Sequence, residues 1–219
     1  MGDRKVSSRN STARTGNRRT AWFFVLTLIA MGVFLPLPRA HADGCAAVDV
    51  VVARGTGEPG WLGSAVGDPL YGMLQDRTRV STSAYSVAYP ADYSFDIGRG
   101  SADLVSHVSA QAAACPDQQF ILVGYSQGAA VVHAALGTGA VSGHVQLPGY
   151  LADRVSSVLL FGDPMRLIGW TVPGGWLGRT GNWCTAGDPV CGGGMNAPAH
   201  VSYGGSFVAA ANFAAGRVY

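Results

Sequence analysis

The 219-residue chain is 48% hydrophobic and 13% charged, and its formal charge of +2 is unevenly spread: seven of fifteen basic residues share the first 42 positions with one acid, Asp3. The 177 residues that follow carry eight arginines, no lysine and twelve acids, a net of −4, which removes the basic surface that nucleic-acid binding needs. That length fits one domain with room for a real core.

In chain order, a basic segment ends in Arg18-Arg19, an apolar run covers 21–37, and Ala40-His41-Ala42 follows. This is the pattern of an export signal over 1–42, cleaved before Asp43. Seventeen mostly apolar residues also approach the length of a membrane anchor. Pro36, Pro38 and the small-x-small triplet favour removal, leaving a secreted domain over 43–219 with no lasting membrane span. The paired arginines leave twin-arginine export open, although Thr20-Ala21-Trp22 continues that signal poorly.

Beyond the signal, apolar β-branched runs predict strands over 47–53, 80–89, 120–123 and 158–161. Helical spacing over 70–77, 97–114 and 128–136 separates them, a last helix is expected over 206–217, and 164–196 reads mostly as loop. Short, nearly continuous apolar strands between helices indicate a parallel sheet covered on both faces. The predicted fold class is α/β, a single three-layer α/β/α sandwich.

All four cysteines, Cys45, Cys115, Cys184 and Cys191, lie in the exported part, which reads as two disulfides with three possible pairings. No Cys/His pair has zinc-finger spacing and no loop has a nucleotide-binding pattern, so no metal or cofactor is expected.

Gly124-Tyr125-Ser126-Gln127-Gly128 has the G-x-S-x-G form of a nucleophile elbow, in which small residues flank a serine on a strained strand-to-helix turn. In a chain with 31 glycines the pattern alone carries little, and its weight comes from the buried strand before it and Ala129-Ala130 after it. A serine hydroxyl needs a base, and the base needs a carboxylate to set its tautomer. His133 is carried away on the elbow helix as a structural or surface residue, and His144 would leave no acid between itself and the elbow, so His200 is the candidate base. Among the acids between Ser126 and His200, Asp153 sits before a strand, at the wrong end of a parallel sheet for catalysis. Asp163 follows a strand at its carboxyl end, and Asp188 lies between Cys184 and Cys191, so on the residues both remain open.

The sequence from about Cys45 onward resembles the cutinase family of small secreted serine esterases. The likeness rests on Ala53-Arg54-Gly55-Thr56, on the elbow, on Cys184-Thr185-Ala186-Gly187-Asp188-Pro189-Val190-Cys191, and on Ala199-His200 followed by Tyr203-Gly204. It implies Asp188 as the acid beside Ser126 and His200, with Asp163 a turn or cap residue. It further implies Cys45–Cys115 and Cys184–Cys191 disulfides. The implied oxyanion donors are the backbone N–H of Gln127 and the N–H and hydroxyl of Thr56.

By that resemblance the chain is a carboxylic ester hydrolase working through an acyl-enzyme. It is expected to be a monomer that meets ester or lipid substrates, and the length leaves little room for a cap domain. Trp170, Trp176 and Trp183 with Leu167, Ile168 and Leu177 are candidates for the rim of an apolar acyl groove, or else for loop residues packed on the core. The other readings are a phospholipase or lipase on the same scaffold, and a non-catalytic secreted surface or antigenic protein.

Overall fold

The computed structural model describes residues 44–138 and 143–219. The predicted export signal and its cleavage point lie outside the described residues.

Five parallel strands form one sheet in the order β2-β1-β3-β4-β5. They are β1 (Val48–Ala53), β2 (Thr82–Ser86), β3 (Gln119–Tyr125), β4 (Val155–Phe161) and β5 (Thr180–Trp183). The helices are α1 (Gly67–Thr78), α2 (Ile97–Ala114), α3 (Gln127–Ala135), the single-turn α4 (Gly174–Leu177) and α5 (Phe207–Ala215).

Period-two alternation splits each central strand between two cores. Val48, Val50 and Val52, with Ile121, Val123, Tyr125, Leu159 and Phe161, face α1 and α5. Val51, Ala53, Phe120, Leu122, Val158 and Leu160 face α2 and α3. Helices therefore cover both faces, as the α/β sandwich expectation required. In α2, Asp96 caps the first turn by accepting from the Arg99 N–H at 3.1 Å, and Ile97, Gly100, Ser101, Leu104, Val105 and Val108 form its buried stripe. Every residue of α3 is buried, Gln127 and His133 included, so this helix is enclosed on all sides rather than striped.

Asp49 is a buried acid in β1, matched by His107 Nε2 on α2 at 2.7 Å and by the Ser83 hydroxyl at 2.6 Å. Pairing is what makes a buried carboxylate tolerable there. The Cys45–Cys115 disulfide ties the segment before β1 to the end of α2.

Two elements escaped the sequence reading. β5 reads Thr-Gly-Asn-Trp and lies within the stretch expected to be loop. It is a strand because Val158 through Phe161 of β4 supply a pairing edge, which local propensity does not report. α4 spans only four residues. β2 is shorter than expected, because after Ser86 the chain turns away through Tyr89 and Pro90.

Strand order reverses between β1 and β3, since β1 leads outward to β2 and β3 leads the other way to β4. In open parallel sheets that switch point opens a crevice at the carboxyl ends of the strands. The Arg54-Gly55-Thr56 turn follows β1 there, and Ser126 follows β3.

Candidate active site

Ser126 joins β3 to α3 with φ 53° and ψ −119°, a positive φ that a non-glycine residue adopts only under constraint. The constraint comes from both sides. The Ser126 N–H donates to Phe161 O at 2.9 Å, and the Ala129 N–H donates back to Ser126 O at 2.9 Å. A Cβ on Gly128 would lie 1.8 Å from Ala53 O, and one on Gly124 2.7 Å from Ala129 Cα. The two glycines of the motif are thus the price of seating α3 directly against β1 and β3.

His200 lies in a 3-10 turn, 197–201, and brings its ring to the serine. Its Nε2 is 2.9 Å from Ser126 Oγ, and its Nδ1 is 2.8 Å from Asp188 Oδ2. Asp188 is fully buried inside the loop closed by the Cys184–Cys191 disulfide. The Val190 N–H donates to Asp188 Oδ1 at 2.7 Å, and the Gly192 and Gly194 N–H groups donate to the Asp188 carbonyl. Burial pushes the Asp188 carboxyl up, but hydrogen bonds from Tyr203, His200 and the Val190 N–H outweigh it and hold the group below its usual range. Both sulfurs of the Cys184, Asp188, Cys191 grouping are joined to each other.

Thr56 and Gln127 also meet. The Thr56 hydroxyl donates to Gln127 Oε1 at 3.0 Å. Gln127 opens α3, where the first backbone N–H groups have no acceptor within the helix.

The rival acid is engaged elsewhere. Asp163 is fully buried and accepts from His133 Nε2 at 2.9 Å, from Asn182 Nδ2 at 2.6 Å and from the Met165 N–H at 2.9 Å. It is a cap of the 164–166 turn, as the resemblance implied, and also the partner of His133. His133 is buried rather than at the surface. Asp153 is exposed before β4.

Three further residues support the site without standing out in the sequence. Tyr203 is fully buried and donates its hydroxyl to Asp188 Oδ2, the same oxygen that faces His200. Burial first, then the neighbouring carboxylate, push its phenol up, so it stays a protonated donor. The Tyr125 hydroxyl donates to His200 O at 2.7 Å. Glu58 holds the turn before α1 by accepting from the Gly55 N–H at 2.7 Å and the Ala65 N–H at 2.6 Å, while burial raises its carboxyl above the usual range. Tyr203 and Tyr125 lay within motifs already singled out. Their contacts depend on chain packing across 15 and 75 positions.

The proposed tryptophan groove divides. Trp183 stacks on Phe161 and belongs to the α1/α5 core, and Trp176 packs on the opposite core. Trp170 and Leu177 line a separate cavity beside β5.

Residues 44–218 match the cutinase family profile. A cutinase of Kineococcus radiotolerans is 42% identical over 194 residues, covering 81% of this chain and 63% of that protein. Its relative in Mycobacterium tuberculosis, the phospholipase Culp4, is 35% identical over 205 residues, covering 90% of this chain and 89% of the other. The solved Trichoderma reesei cutinase in complex with a phosphonate inhibitor superposes with a TM-score of 0.68 at 30% identity, covering 80% of this chain and 78% of that one. The chain therefore belongs to the cutinase family, and with it to the carboxylic ester hydrolases.

Proposed function

We infer that the chain is a secreted serine esterase in which Ser126 attacks the ester carbonyl, His200 takes the serine proton and Asp188 orients the imidazole. The observation carrying this reading is the unbroken line of contacts from Ser126 Oγ through His200 to Asp188, at 2.9 and 2.8 Å. With Nδ1 facing the carboxylate, the neutral ring holds its proton there and leaves Nε2 as acceptor for the serine.

The N–H groups of Gln127 and Thr56 are the donors for the oxygen that becomes negative, joined by the Thr56 hydroxyl when its proton turns from Gln127 Oε1 to that oxygen. The tetrahedral intermediate collapses by passing the proton from His200 to the leaving alcohol, which leaves Ser126 acylated. Water then repeats the sequence and releases the carboxylic acid. Tyr203 holds the orienting carboxylate, and Tyr125 holds the backbone of the base.

The substrates are short- to medium-chain carboxylic esters, presented free or at a lipid or polyester surface. Exposed Trp61 after β1, Tyr93 and Phe95 after β2, and Leu167 and Ile168 after β4 support approach to such a surface. Phospholipid is the second reading, favoured by the mycobacterial relative. Export is supported by the two disulfides, which persist in oxidising compartments. No helix among the described residues is long and apolar enough to cross a membrane.

A p-nitrophenyl ester panel from acetate to palmitate, with Ser126→Ala alongside, tests the proposal. The variant should stay folded and lose activity by on the order of a millionfold. A folded Ser126→Ala protein that keeps more than a few per cent of wild-type rate removes the nucleophile assignment. Labelling by a fluorophosphonate separates an esterase from a non-catalytic surface protein.

A further inference from the structure

Beside the edge strand β5, a cavity of about 390 Å³ opens between the 166–172 segment, α4 and the strand. Its strand-facing wall is on the α2/α3 side of the sheet, and Cys191, of the disulfide that closes the loop carrying Asp188, also lines it. Thr180 and Asn182 line it, and they pair in register with Val158 and Leu160, which face the α2/α3 core. Trp183 and Tyr203 belong to the α1/α5 core instead. None of Ser126, His200, Thr56 or Gln127 lines the cavity.

Its chemistry is amphiphilic. Trp170, Val172 and Leu177 supply apolar walls, and Arg166 is the one charged residue of the lining. Arg166 is exposed at the rim, and one of its guanidinium nitrogens donates to Asn182 O at 3.3 Å. Among the described residues no carboxylate pairs with it. A planar guanidinium with unused donors above an apolar trench matches a carboxylate carrying an alkyl chain. The volume falls in the usual range for small-molecule sites.

We propose that this cavity is a second, non-catalytic binding site for a medium-chain alkyl carboxylate, with the carboxylate on Arg166 and the chain against Trp170, Val172 and Leu177. An ester hydrolase makes such an acid at every turnover, so the site takes the class of its own product. Only the source of the ligand rests on the serine-esterase reading; the cavity and its charge do not.

The test is calorimetric titration of hexanoate, octanoate and octanol into protein whose Ser126 has been capped by a small phosphonate. Should Ser126 resist capping, the nucleophile reading fails, and the same titration is run on the Ser126→Ala protein. Octanoate should still bind, up to about fourfold more tightly per added methylene. Arg166→Gln should weaken octanoate by about fivefold and leave octanol within about twofold. Leu177→Glu, at a half-exposed rim position, should weaken octanoate further by placing an anion beside it. Hydrolysis of p-nitrophenyl acetate should be unchanged in both variants. The proposal is overturned if octanoate binding disappears when Ser126 is capped, or if neither variant alters it.

Discussion

Asp188 and Asp163 are both fully buried, and their partners separate their roles: one faces the histidine beside Ser126, the other a histidine on α3. Asp188→Asn should lower kcat by roughly 10⁴-fold through loss of imidazole orientation while the fold persists. Asp163→Asn should instead leave His133 and Asn182 poorly matched, costing about 1–3 kcal/mol of stability with near-normal kcat while folded. Kinetics and thermal melts on both variants check the pair, and an inactive but fully stable Asp163→Asn reverses the assignment. Tyr203 adds a pH-dependent prediction. Because the folded Asp188 carboxyl is held low, its ionised form stabilises the fold above the ordinary value of 3.8, and this contribution fades as pH falls below it. Tyr203→Phe removes the largest of the hydrogen bonds that oppose burial. The melting-temperature gap between wild type and Tyr203→Phe should therefore be widest above about pH 4 and narrow below it. A gap that is flat with pH would reduce Tyr203 to a packing residue.

At the scale of elements, the elbow depends on how closely α3 can approach β1. Gly128→Ala would drive a methyl into Ala53 O, so the helix must move and carry the Gln127 N–H with it. Expected are a loss of about 1–3 kcal/mol from overpacking and, since displacement by about 1 Å costs about 100-fold, a comparable fall in rate. Gly149→Ala, where nothing lies within 4 Å, is the matched control and should be silent in both assays. By contrast, α2 runs over the expected residues because its apolar spacing, its Asp96 cap and its end before Cys115 and Pro116 are local. β5 and α4 were not legible, since their conformations come from partners on β4 and in the core rather than from their own residues.

Across the molecule, the two disulfides constrain different things. Cys45–Cys115 spans 70 positions and Cys184–Cys191 spans 7, which by loop entropy corresponds to about 4 and about 2 kcal/mol. A Cys45→Ser, Cys115→Ser protein should melt earlier yet keep near-normal rate while folded. A Cys184→Ser, Cys191→Ser protein should lose rate at temperatures where it is still folded, because that loop carries Asp188. Rates measured below both melting points distinguish the two, and equal rates in both would unlink the small loop from the chemistry. What the sequence by itself determined was whatever local pattern encodes: the α/β class from alternating apolar strands and helices, the elbow from its glycines together with the apolar strand before them and Ala129-Ala130 after, and the family from its cysteine-aspartate-cysteine motif. It left Asp163 and Asp188 as rivals until the family likeness was added, because the proximity of a carboxylate to a histidine is not a local property. Only the tertiary structure decided which histidine each acid faces, that Tyr203 shares an oxygen with His200, and that Trp176 and Trp183 lie on opposite faces of the sheet. Each of those depends on strand order and register, which join residues distant in the chain through packing that neighbouring residues do not encode.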